Sequence, residues 1–257
     1  MTPDLDLLRA RLSLPLPPPD LHNVGDGDFD AIGWEFLGHL LTFAGLRPGD
    51  TVLDIGCGVG RLARPLSVFL DPGGRYHGFD ISRPAIDWCR RTITAHHPAL
   101  TFSHHDLRHP LYNPLGALDP ATAAFPMADG TVDVACAISV FTHLPPPVIA
   151  TYLAEAARVL KPGGRLFCTA FLLDADSRAA LTAGGCRIPF DGSDPAPWQE
   201  GYPDHPGAAV AVDRDWLHAR AEAVGLVLGP RQGPGDWSGR RPGVSFQDIC
   251  VFERRTA

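Results

Sequence analysis

Residues Val52 to Gly60 read VLDIGCGVG, an apolar run that ends on an aspartate and then places a glycine at every second position. The run has the character of a buried strand. The glycines let the backbone turn sharply and pass close to a bulky neighbour. Leu62, Leu66, Phe69 and Leu70 follow at helical spacing. A strand, a glycine turn and a helix N-terminus in that order suit a parallel α/β sheet, where ligands bind beyond the carboxyl ends of strands. Few all-α or all-β folds can hold such a stretch.

The rest of the chain keeps that alternation. GRYHGFDI, LTFSHHDL, TVDVACAIS and RLFCTAFLL read as further strands. SRPAIDWCRRTITAHH reads as a helix with Ser82 as N-cap and Ile86, Cys89 and Ile93 turned inward. PVIATYLAEAARVL is a second helix, with Ile149, Tyr152, Leu153, Ala156 and Leu160 facing the sheet and Gly163 and Gly164 closing it. Ahead of the first strand, DFDAIGWEFLGHLLTFAGL sets Ile32, Phe36, His39, Leu40 and Phe43 on one helical stripe. Residues 175–212 are rich in Gly, Pro and Asp and are too long for an idle connection. A helix capped by Asp213 follows, and then two strands joined by a glycine-rich excursion. The expected fold is α/β: a seven-stranded, mostly parallel sheet with helices on both faces and an antiparallel C-terminal edge pair.

With 257 residues, 45% of them hydrophobic, the chain can bury a full core as one α/β domain with additions. Its formal charge of -7 argues against a general electrostatic hold on nucleic acid or an anionic membrane. No apolar run has membrane-spanning length, and the acidic N-terminus lacks the apolar stretch of a signal peptide. The six cysteines are scattered without a C-x-x-C pair, which fits a reduced, cytoplasmic protein.

The glycine loop is not a nicotinamide fingerprint. G-x-G-x-x-G needs a small last residue for close helix–strand packing, and counting from Gly56 and Gly58 that residue is Arg61. The spacing is Asp54-x-Gly56-x-Gly58-x-Gly60, with a carboxylate leading, and that suits a ligand with an amine or cationic end. VLDIGCGVGRLARPL resembles the cofactor loop of class I S-adenosylmethionine-dependent methyltransferases. The likeness continues through YHGFDIS, HHDL, FPMADGTVDVACAISVFTHL and EAARVLKPGGRLFCTAF, in family order over about residues 45 to 173.

The resemblance implies a Rossmann-like sheet and S-adenosylmethionine as cofactor. Asp54 and the backbone of Gly56, Cys57, Gly58 and Gly60 would hold its amino-acid end. Asp80, with Ile81 beside it, would accept the ribose hydroxyls. Asp106 would accept from the adenine amino group, with Leu107 against the ring. Ser139 would lie under the methionine portion, next to the acceptor. Residues 1–44 would form an N-terminal lid and helix, and 45–257 the methyltransferase domain, with a substrate-side insertion near 174–212.

AHHPALTFSHHDLRHP carries five histidines, but His104 and His105 point to opposite faces of a strand, so they cannot converge and no metal is expected. His143, in SVFTHLPP, is the catalytic candidate. It follows the fourth strand, where a neutral imidazole could take a proton from an acceptor hydroxyl, or could merely orient its loop. Four residues are candidate substrate contacts: Phe29 in LHNVGDGDF, Tyr112 in LYNPLG, and Trp237 and Gln247 near the terminal strands. The stretches LHNVGDGDF, IGWEFL, LYNPLG and SFQDI resemble a bacterial subgroup whose genes often accompany sugar and secondary-metabolite modification. The expected activity is methylation of a small-molecule acceptor, at oxygen of a sugar or secondary metabolite. Two alternatives stay open: a non-catalytic cofactor-binding protein, and a nucleic-acid methyltransferase. The amino-directed nucleic-acid enzymes carry Asp/Asn-Pro-Pro-aromatic where this chain has Ser139-Val140-Phe141-Thr142.

Overall fold

In a computed structural model, which describes residues 14–21, 27–186, 188–240 and 242–256, nine strands join in one mixed sheet. The first, β1 (Thr51–Ile55), lies between β2 (Arg75–Asp80) and β4 (Val132–Ala137), parallel to both. β3 (Leu100–His104) continues outward beyond β2, and β5 (Leu160–Leu173) beyond β4. The chain thus builds one half of the sheet outward from β1 and then returns to build the other. The crevice opens where that order reverses, at the carboxyl ends of β1 and β4.

Alternation along β1 divides the core. Leu53 and Ile55 face a cluster shared with α4 (Pro146–Val159) and α6 (Arg214–Ala223). Val52 faces the opposite cluster, filled by α1 (Phe29–His39), α2 (Ala63–Phe69) and α3 (Arg83–Cys89). Helices therefore cover both faces, and the C-terminal strands β8 (Leu226–Leu228) and β9 (Asp248–Arg254) pair antiparallel at the edge. The strand count is nine instead of seven because residues 175–212 contribute α5 (Ala175–Thr182) and the hairpin of β6 (Trp198–Glu200) and β7 (Val210–Asp213). The far edge of β5 is shared: Arg165–Ala170 pair antiparallel with β9, and Phe171–Leu173 pair parallel with β7.

Two local expectations change. The buried face of α1 and the π-helical turn that extends it is Phe29, Gly33, Leu37, Leu40 and Ala44; Ile32, Phe36, His39 and Phe43 sit at its half-buried shoulder. The helix crosses the glycine loop so closely that a Cβ on Gly33 would come within 2.7 Å of the Arg61 carbonyl oxygen. Gly163 and Gly164 do not cap α4 either. The helix runs straight into β5 at Leu160, and the glycines absorb the register shift before Arg165 pairs with Val134. The lid expected over residues 21–29 lies mostly outside the described residues. Among the described residues no helix is long and apolar enough to cross a membrane.

Candidate active site

The carboxyl end of β1 delivers Asp54 into the interior, where its carboxylate accepts a 2.7 Å hydrogen bond from the Tyr76 hydroxyl and a weak one from the Cys136 thiol. Burial is the largest influence on this carboxyl and pushes its pKa up to about 6; Asp80 nearby adds to the rise, and Tyr76, Cys136 and Arg61 oppose it. In the folded chain Asp54 therefore holds its proton from the ordinary value of 3.8 up to about 6, so stability falls as pH rises through that window. A bound cation would restore the ionised form.

Asp80 closes β2 with both oxygens in use. Oδ2 accepts the Gly58 N–H at 2.8 Å, and Oδ1 accepts the Ser82 N–H at 2.7 Å. Each oxygen retains acceptor capacity, and burial raises this carboxyl too. The loop it braces lies close to the far wall: a Cβ on Gly56, at φ 72, would sit 2.6 Å from Val140 Cγ2. Ser139 follows β4 with φ 56, a strained conformation that few residues other than glycine adopt. Its N–H donates to Thr169 Oγ1 at 2.7 Å and its hydroxyl to Gln247 Oε1 at 3.2 Å.

These groups open on one cavity lined by Asp54, Gly56, Cys57, Gly58, Asp80, Ile81, Leu107 and Ser139. Phe29, Tyr112 and His143 line it as well. His143 is half-buried, which lowers the pKa of its imidazole, and the Tyr112 ring stands edge-on to it at 5.3 Å.

Four expected contacts lie elsewhere. Gly60 packs against Ile93 and Cys89. Asp106 turns both oxygens to its own loop, accepting from Asn113 Nδ2 and the Ala117 N–H. Trp237 is 2% exposed, packed between Phe171 and Phe190, with its indole N–H on Asp248. Gln247 reaches Ser139 and Thr169 and is not part of the cavity wall. The histidines of residues 96–109 disperse as well. His96 bonds Thr92 and His104 bonds Ile81, while His109 reaches the backbone of His143. Among the described residues no group of three or more His, Cys, Asp or Glu could hold a metal.

Arg61 was significant in the sequence only as the residue that spoils a nicotinamide fingerprint. In the structure Arg61 lines the cavity within electrostatic reach of Asp54, and its guanidinium has no hydrogen-bond or ion-pair partner among the described residues. A carboxylate and a guanidinium at one end of a cavity complement the ammonium and carboxylate of an α-amino acid.

Residues 52–164 match the family described as a methyltransferase domain. Residues 52–164 form a methyltransferase domain. It is 34% identical over 150 residues to nocamycin O-methyltransferase of Saccharothrix syringae, covering 56% of this chain and 47% of that protein. The chain spans 30% to 47% of the length of four curated relatives that it matches. Among solved structures, a SAM-dependent methyltransferase of Methanosarcina mazei superposes with a TM-score of 0.52 at 18% identity, over 82% of this chain and 95% of that one. The [4+2]-cyclase SpnF superposes with a TM-score of 0.56 at 17% identity, over 92% and 86%. Likeness at this level shows the fold and leaves the reaction to the site.

The cofactor of these methyltransferases is S-adenosylmethionine, and the cavity fits it. Its lining combines the opposite charges of Asp54 and Arg61, the Asp80 carboxylate at the tip of β2 and the apolar side chains of Phe79, Ile81 and Leu107. Because Asp54 must be ionised to pair with an ammonium, affinity for S-adenosylhomocysteine should fall about tenfold for each pH unit below about 6. Calorimetry across that range should show the fall in the native protein and its absence in Asp54→Asn.

Proposed function

We propose that this chain transfers a methyl group from S-adenosylmethionine to a hydroxyl oxygen of a small molecule, in the cytoplasm, without nucleic acid or membrane as partner. The observation that carries the reading is that one cavity is lined by both the Asp54–Asp80 carboxylates and the His143 imidazole. Nocamycin O-methyltransferase, demethylmenaquinone methyltransferase and 2-methyl-6-phytyl-1,4-hydroquinone methyltransferase among the relatives support a small-molecule acceptor.

When bound, the cofactor supplies an electrophilic methyl group on a sulfonium. Asp54 and Arg61 hold its amino-acid end, Asp80 its ribose, and Ile81 and Leu107 its base. Phe29 and Tyr112 bound the acceptor side and exclude water. His143 orients the acceptor hydroxyl and takes its proton.

Asp80→Ala should weaken S-adenosylhomocysteine binding by about 2–3 kcal/mol, because the ribose hydroxyls lose charged acceptors and the Gly58 N–H loses its brace. Asp80→Asn should cost less. A folded Asp80→Ala protein that binds like wild type would remove Asp80 from the site.

Supplying methyl-labelled S-adenosylmethionine with a panel of phenols, enols and sugars, and identifying the product by mass spectrometry, tests the whole reading. Label on oxygen is expected. Label on nitrogen or on nucleic acid would overturn the acceptor class, and failure to bind S-adenosylhomocysteine would overturn the function.

A further inference from the structure

Backbone groups fix the two histidines at the acceptor end in opposite tautomers. His143 Nδ1 lies 2.9 Å from the carbonyl oxygen of Gly207. A carbonyl oxygen can only accept, so Nδ1 carries the proton and, in the neutral ring, Nε2 carries the lone pair. His109 is the reverse. Its Nδ1 accepts the Leu111 and Tyr112 N–H groups, each at 3.2 Å, and its Nε2–H donates to the His143 carbonyl at 2.9 Å. A neutral imidazole free in water favours the proton on Nε2, so the fold selects the less common form at His143.

The selecting group comes from the β6–β7 hairpin, 64 residues further along the chain. Gly207 sits in the loop of that hairpin at φ 79, and its N–H donates to Glu200 Oε2 at 3.0 Å. A Cβ there would come within 2.7 Å of His109 Cε1 and 3.2 Å of the His143 carbonyl oxygen. Only glycine can occupy the slot between the two histidines. The base of the hairpin is fixed in the sheet, where β7 pairs with Phe171–Leu173.

We propose that the β6–β7 hairpin sets the tautomer of His143, with Gly207, Glu200 and His109 as positioning residues, and that the site thereby keeps the Nε2 lone pair available to the proton of an acceptor. The inference rests on the reading of His143 as the proton acceptor. In the proton transfer, the acceptor O–H bond breaks, an Nε2–H bond forms with the Nε2 lone pair, and the O–H bonding pair stays on the oxygen. The imidazolium still donates Nδ1–H to Gly207. The groups facing His143 are His109 and Tyr112 from the loop after β3, and from the hairpin the backbone of Gly207 and Ala208, with Glu200 acting through Gly207.

The test is long-range ¹H–¹⁵N spectroscopy of the histidine rings in the full chain, with His143 assigned by its loss in His143→Gln. Wild type should show a protonated Nδ1 and an unprotonated Nε2. Glu200→Ala frees Gly207 and should shift His143 toward the Nε2–H form, and Glu200→Gln, which keeps an acceptor oxygen, should restore it. Gly207→Ala is avoided as the primary variant because the hairpin loop would have to refold around the new methyl. A wild-type His143 in the Nε2–H form, or a Glu200→Ala spectrum identical to wild type, overturns the proposal. S-adenosylhomocysteine binding measured on the same samples keeps the two readings apart. Loss of binding with the expected tautomer overturns the proposed function and leaves the hairpin's role intact.

Discussion

His143→Ala is expected to lower turnover by a hundredfold or more while changing cofactor affinity little. Removing a positioned base typically costs about 10²–10⁴ in rate, and the side chains proposed for the amino acid, ribose and base lie on other loops. The pH dependence carries the sign. Burial lowers the imidazole pKa from its ordinary 6.5, so His143 remains neutral, and able to accept a proton, into more acidic solution than a free histidine. The acid limb of the wild-type rate profile should therefore fall below pH 6.5 and vanish in the variant. A loss confined to kcat identifies a base. A raised KM with the limb retained identifies a residue that only positions the acceptor. Wild-type kinetics would leave His143 a packing residue.

Asp248→Ala should be the most destabilising of the substitutions considered, by about 3–5 kcal/mol. The carboxylate begins β9, 2% exposed, and gathers three donors from two segments: the Leu172 N–H at 3.0 Å from β5, and the Gly235 N–H at 2.8 Å and the Trp237 indole at 2.6 Å from the loop before β9. Arg240 pairs with it and also bridges to Asp174, the N-cap of α5. Truncation leaves three donors without their acceptor and a half-buried guanidinium with one partner fewer. Urea unfolding should show a lower midpoint at unchanged slope, and Asp248→Asn, which keeps an acceptor oxygen, should lose less. A loss under about 1 kcal/mol would mean that water replaces the carboxylate.

What was legible in the sequence was local. Asp54, the glycine loop and Asp80 lie within one strand–turn–helix–strand unit, where period and turn chemistry act over a few residues. The parallel sheet with helices on both faces follows from the same alternation. The inward face of α1 departs from the apolar stripe because contact distance, not residue size, sets it. Phe36 and Phe43 are apolar enough for the core, but the crossing over the glycine loop admits only Gly33. Trp237, Gln247 and Gly207 were beyond reach for another reason. Their place near the terminal strands offers Trp237 and Gln247 as acceptor contacts, yet tertiary partners claim them first. Gly207 is one of 27 glycines, and nothing near it in the chain marks it as the partner of a histidine 64 residues away.

The shared edge of β5 has a consequence for how the chain is made. Emerging from the ribosome, β5 can pair with β4 at once, but its other edge stays bare. Phe171–Leu173 wait for β7, and Arg165–Ala170 wait until residues 248–254 have been synthesised. While residues 174–247 are being made, six residues of this strand present unpaired N–H and C=O groups, a template for pairing with another nascent chain. Chaperone dependence during synthesis should therefore be set by the last strand of the sheet, and chains stalled before residue 248 should aggregate even though residues 52–164 are complete.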